Sequence, residues 1–147
     1  MKEFVSNSEE ETIKIAKQIA SKLTKTDILV LTGDLGSGKT KFTEGILDFF
    51  GLEDEISSPT FTIVNEYEKD DIKIFHFDVY RLEDVDEFFA IGGDEYFGKG
   101  ICIIEWGEQI LDALPKNYIK IDFERDFQNE NRRILKIEKM GENKWKI

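Results

Sequence analysis

One cysteine, two prolines and one histidine are all that 147 residues supply of three unusual side chains. The single cysteine, Cys102, excludes an intrachain disulfide, and its place inside the apolar run ICII marks a buried, inert thiol rather than a nucleophile. Few prolines and no low-complexity tract argue against a disordered tail. No apolar run approaches the roughly 18 residues that a membrane-spanning helix needs, and the N-terminal MKEFVSNSEEET has no apolar signal region. The chain therefore reads as cytoplasmic, with no membrane role. Basic residues are also short: 20 Lys and Arg face 31 Asp and Glu, for a net charge of −11. Nucleic acid rewards basic patches, so a chain this acidic is repelled by bare DNA or RNA. Any nucleic-acid role would run through a partner.

Two further absences narrow the class. No N-K-x-D stretch is present, so guanine specificity has no visible support. No arginine occurs between Arg81 and Arg125, so the arginine-rich lid of a small-molecule kinase is missing.

What is present suits one globular domain over residues 1–147, with 40% hydrophobic residues and twelve phenylalanines for an aromatic-rich core. SNSEEETIKIAKQIASKL predicts a helix capped by Ser6 or Ser8, with Ile13, Ile15, Ala16, Ile19, Ala20 and Leu23 roughly on one face. DILVLTG predicts a short buried strand. Residues 39–50 predict a helix with Phe42, Ile46 and Phe49 on one face and Gly51 as its stop. Two strand-like runs, 61–67 and 72–80, flank EKDD as a hairpin. VDEFFAIG predicts a short helix, ICIIEW a second buried strand, and GEQILDAL a helix closed by Pro115. YIKIDF and RRILKIEK predict a closing hairpin. This order points to an α/β fold: a three-layer, P-loop NTPase-like domain with a mixed parallel and antiparallel sheet.

The strongest motif is Gly33-Asp34-Leu35-Gly36-Ser37-Gly38-Lys39-Thr40, which matches G-x-x-x-x-G-K-[ST] between a strand and a helix. Glycines let the backbone curl so that N–H groups face phosphate oxygens, and the following helix aims its positive end at the same point. Lys39 would reach the β- and γ-phosphates, and Thr40 would place its hydroxyl on Mg²⁺. Such a site also needs a carboxylate at a neighbouring strand end. Asp78 ends IFHF and Glu105 ends ICII. If ICII runs parallel to ILVL, Glu105 arrives beside the P-loop, whereas Asp78 depends on where the hairpin lies. Other residues carry weaker signals. His76 reads more readily as a packed strand histidine than as a catalytic one. Trp106 is either core or a cover for a nucleotide. Thr60 in SSPT either presents a hydroxyl or starts a strand. Arg81 could pair with an acid or with phosphate, and Gln109 is a weak candidate for orienting water.

LTGDLGSGKTKFTEGI, SSPTFTIVNEY, FHFDVYRLED, IGGDEYF and IIEWGE follow one another in an order and spacing that resemble the small bacterial TsaE (YjeE) family of ATPases. The resemblance spans about residues 28–108 and extends loosely to both ends. That family works in biosynthesis of the threonylcarbamoyl modification on the adenosine beside the tRNA anticodon. The resemblance implies ATP and Mg²⁺ as cofactors and TsaB and TsaD as partners, with tRNA reached only through the complex. It implies Lys39 and Thr40 as the Walker A pair and Thr60 in a switch-like segment near the γ-phosphate. Asp78 and Glu105 would hold Mg²⁺ or its water, Trp106 would sit near the nucleotide, and Thr12 would lie at the adenine pocket. IGGDEYF departs from the single glycine and bulkier neighbour usual in the family, which touches no implied ligand. With few arginines to offer, the chain is expected to hydrolyse ATP slowly until partners complete the site. The alternative is a nucleotide-gated binding module whose hydrolysis is incidental.

Overall fold

A computed structural model describes residues 2–33, 38–52, 64–79, 82–105 and 107–141. Its elements run β1 (Lys2–Ser6), α1 (Glu9–Ala20), β2 (Ile28–Gly33), α2 (Lys39–Phe49), β3 (Val64–Lys69), β4 (Ile72–Asp78), α3 (Val85–Ala90), β5 (Ile101–Glu105), β6 (Tyr118–Arg125) and β7 (Arg133–Met140). Short 3-10 helices lie at Gly93–Tyr96 and Gly107–Ala113.

The seven strands form one sheet in the order β1-β7-β6-β2-β5-β4-β3. Strands β6, β2, β5 and β4 run parallel, and β1–β7, β7–β6 and β3–β4 are antiparallel pairs. The expected α/β class with a mixed sheet is the observed one. The central strands ILVLTG and ICIIE are buried on both faces, so they read as continuous apolar runs rather than alternating ones.

Helices cover both faces. Ile15, Ala16 and Ile19 of α1 and Phe42, Ile46 and Leu47 of α2 pack on Leu29, Leu31, Ile103 and Ile121. On the reverse face, Phe88 of α3 and Ile110 pack on Val30, Phe75, Phe77, Cys102 and Ile104. Gly45 explains how α1 and α2 approach so closely: a Cβ there would lie 2.6 Å from the Ala16 Cβ and 2.9 Å from the Ile13 carbonyl oxygen. Helix α1 starts at Ser8, whose hydroxyl accepts from the Glu11 N–H at 3.1 Å, a cap of about 1 kcal/mol.

Several elements differ from expectation. The N-terminal residues form an unpredicted strand, β1. Its sequence KEFVS is too short and polar to signal by itself, and pairing with β7 supplies the hydrogen bonds that make it one. GEQILDAL is a 3-10 segment kinked at Ile110 (φ −126°), not an α-helix. Phe49, expected on the buried face of α2, is 44% exposed, because the helix ends there and the chain turns at Gly51 with φ +75°. The turn of the β3–β4 hairpin is Asp70-Asp71 rather than all of EKDD, with Asp70 at φ 56°. Among the described residues, no helix is long and apolar enough to cross a membrane.

Candidate functional site: the carboxyl ends of the parallel strands

Strand β2 leads into the glycine-rich segment between Gly33 and Gly38. Gly33 closes the strand at φ +126°, and a Cβ there would stand 2.3 Å from the Phe123 carbonyl oxygen, so only glycine lets the chain turn against β6. Gly38 precedes α2 in the left-handed conformation at φ 108° and offers the helix no side-chain cap. The dipole of α2 points its positive end towards this turn, which favours an anion there. Lys39 is 5% exposed, and its Nζ donates to the Gly33 carbonyl at 2.8 Å, which places the ammonium at the end of β2. Thr40 is exposed on the first turn of α2. Asp34, Leu35, Gly36 and Ser37 lie outside the described residues, as do Thr60, Arg81 and Trp106.

The condition set for Glu105 is met. Strand β5 is parallel to β2, with Glu105 opposite Leu31, and the residue is only 7% exposed. The open question about Asp78 is also answered. Strand β4 is parallel to β5, and Asp78 stands directly opposite Glu105. Asp78 itself is exposed. Side chains alternate along a strand, so Ile74, His76 and Asp78 share the α1–α2 face with Ile101, Ile103 and Glu105. The two carboxylates and the lysine thus belong to one end and one face of the sheet. Ligands of open α/β sheets gather at such an end.

Among the described residues, no group of three His, Cys, Asp or Glu side chains surrounds one point. A divalent cation here would need its remaining ligands from hydroxyl, water and phosphate oxygens, which is the usual pattern for Mg²⁺. A cavity of about 370 Å³ lies elsewhere, lined by Phe75, Tyr96, Glu66 and Lys99, and none of the residues above reaches it.

Thr12 is buried in α1, and its hydroxyl lies 2.7 Å from the Ser6 Oγ and donates to the Ser8 carbonyl at 3.3 Å. Its methyl is 4.0 Å from where a Cβ on Gly38 would stand, so Thr12 does border the glycine-rich turn.

Three features escaped the sequence reading. His76 Nε2 is 2.7 Å from Glu105 Oε2, a contact that becomes visible only once β4 and β5 are known to be neighbours. Gln109 turns its amide nitrogen to the carbonyls of Val79 and Leu82, 3.0 and 2.6 Å away. It ties together the segments that follow β4 and β5 and so has no amide hydrogen to spare for water. Arg125 ends β6 two residues beyond Phe123, which pairs with Gly33. This arginine is remote in sequence yet stands at the same end of the sheet as the glycine-rich turn.

Domains of the P-loop NTPase type share this plan of a mixed sheet between helical layers, and the chain has that fold class. Comparison with known proteins narrows the class. The family described as "Threonylcarbamoyl adenosine biosynthesis protein TsaE" matches residues 6–134. The tRNA threonylcarbamoyladenosine biosynthesis protein TsaE of Bacillus subtilis (strain 168) is 43% identical over 122 residues, covering 82% of this chain and 76% of that protein. The protein of the same name from Aquifex aeolicus (strain VF5) is 37% identical over 139 residues, covering 93% of this chain and 96% of its own. The crystal structure of Bacillus subtilis YdiB superposes with a TM-score of 0.75 at 34% identity, over 95% of this chain and 86% of that one. The chain belongs to the TsaE family.

Proposed function

We propose that this chain is the ATP-binding and ATP-hydrolysing subunit of tRNA threonylcarbamoyladenosine modification, dependent on Mg²⁺ and acting in the cytoplasm with TsaB and TsaD. The observation that carries the reading is the convergence of Lys39, Asp78 and Glu105 on the strand end that carries the glycine-rich turn. Gly33–Thr40 would cradle the phosphates with backbone N–H groups and the start of α2. Lys39 would neutralise the β- and γ-phosphates. Thr40, Asp78 and Glu105 would hold Mg²⁺ or its water. Bound there, Mg²⁺ would supply charge neutralisation on the transferring phosphoryl group. Thr12, beside Gly38, would border the base, and Thr60 and Trp106 would complete the pocket.

The chain's charge of −11 leaves tRNA contacts to its partners. Few arginines favour slow turnover alone and a rise in the assembly, where a supplied arginine is worth about 10³–10⁵-fold in GTPase examples.

The test is a reconstituted modification assay with TsaB, TsaD and tRNA over many turnovers, run beside steady-state hydrolysis by the chain alone. Sustained modification with ATP and a stall with a non-hydrolysable analogue are expected. Equal modification with the analogue would support the nucleotide-gated module instead. In the same assay, Asp78→Ala and Glu105→Ala are each expected to lower Mg²⁺-dependent hydrolysis by more than they weaken Mg²⁺-free nucleotide binding. Wild-type hydrolysis by either variant would remove that residue from the site.

A further inference from the structure

The Glu105 carboxylate is nearly buried, and a carboxylate in that position needs its oxygens directed. Its neighbour across the sheet supplies the direction. His76 sits on β4 opposite Ile103, one pleat before the Asp78–Glu105 pair, so its ring reaches diagonally to Glu105. The His76 Nε2 and Glu105 Oε2 are 2.7 Å apart, with the two side chains 16% and 9% exposed. An ionised carboxylate only accepts, so Nε2 carries the hydrogen of this bond. Among the described residues no second side chain donates to Glu105. One carboxylate oxygen is therefore held, and Oε1 is left to the site.

We infer that His76 is a positioning residue. It holds Glu105 in the single rotamer that offers Oε1 to the cation, or to water bound by it, at the end of β5. This rests on the Mg²⁺–ATP reading of the site. Packing alone would be served by an apolar residue of similar size, as Ile103 and Ile74 show on the same face. The polar ring is explained by the acid beside it. Partners that orient a metal-binding group typically matter about 10–100-fold for affinity or activity.

The experiment compares His76→Leu, which removes the donor, with His76→Gln, which keeps an N–H near the same place. The Leu variant is expected to lose about 10–100-fold in kcat with Mg²⁺-free nucleotide affinity changed less than about threefold, and the Gln variant to recover most of the loss. Because the chain has a single histidine, the ring ¹⁵N spectrum is free of ambiguity and needs no nucleotide. It is expected to show a protonated Nε2 in the wild type and a shifted, tautomer-averaged ring in Glu105→Ala. Wild-type turnover in folded His76→Leu, or ring resonances unmoved by Glu105→Ala, would overturn the inference. A wild-type chain that binds no ATP would sink the nucleotide reading itself, while the ring spectrum would still report whether His76 holds Glu105.

Discussion

The parallel strands present two faces built from the same short runs, and the two faces end differently. On the α1–α2 face the apolar side chains give way at the carboxyl end to polar ones or to glycine: Leu29 and Leu31 lead to Gly33, Ile101 and Ile103 to Glu105, and Ile74 to His76 and Asp78. On the α3 face β4 and β5 stay apolar to their ends, through Phe75, Phe77 and Val79 and through Cys102 and Ile104, whereas β2 ends there in Thr32, whose hydroxyl donates to the Asp122 carboxylate of β6 at 2.8 Å. That face also holds most of the ring contacts. Phe77 meets Phe88 at 5.8 Å and Tyr96 at 5.4 Å, and Phe75 meets Tyr96 at 4.9 Å between centroids. A side-chain period of two lets one strand carry chemistry on one face and cohesion on the other. Polar groups at the site cost burial energy, and the aromatic cluster behind them offsets it.

The separation predicts which variants change stability and which change function. Phe77→Ala strikes the cohesive face. Its ring is fully buried, and removal is expected to cost about 3–5 kcal/mol in chemical denaturation, with turnover per folded molecule within about twofold. A large loss of turnover at full stability would break the comparison. Lys39→Ala strikes the chemical face. Hydrolysis is expected to fall by about 10²–10³-fold with the far-ultraviolet circular dichroism unchanged. ATP binding and hydrolysis unchanged in the folded variant would remove the phosphate cradle from the account.

Gly45→Ala tests the α1–α2 layer that backs the site. The added methyl meets the Ala16 Cβ at 2.6 Å, so a loss of about 1–3 kcal/mol is expected in thermal melts. A neutral result would show that the two helices separate freely.

The smallest effect belongs to Cys102. Burial pushes its thiol up to about 12, so it stays protonated and should resist alkylation in the native protein at pH 8 yet react on unfolding. The folded state holds this proton where the unfolded chain has lost it, so its contribution to stability falls as pH rises from about 9 towards 12. The same titration in Cys102→Ala should lack that component, and native alkylation at the unfolded rate would place Cys102 in an open, mobile face.

Much of the fold was legible because local patterns report local structure. The 3.6-residue spacing of Ile15, Ala16 and Ile19 marks α1, and the unbroken apolar runs ILVL and ICII mark strands buried on both faces. The departures arise where tertiary contacts outweigh the local pattern. GEQILDAL has helical residue types but folds as a kinked 3-10 segment, and β1 exists only because β7 pairs with it. Gln109 looked available for water until Val79 and Leu82 were seen to occupy its amide. For the candidate site, the candidate residues could be named from the sequence, but which of them stand side by side could not.

By itself the sequence determined the α/β class, the positions of its main helices and strands, and the glycine-rich motif between β2 and α2, because each follows from spacing within a few residues. Only the tertiary structure decided that β4 lies parallel to β5 with Asp78 opposite Glu105, that His76 reaches Glu105, and that Arg125 stands at the end of the sheet that carries Gly33. The physical reason is register. Pairing between strands separated by tens of residues depends on which faces the whole chain can bury together, and a slip of one residue between β4 and β5 would have put Asp78 and Glu105 on opposite faces.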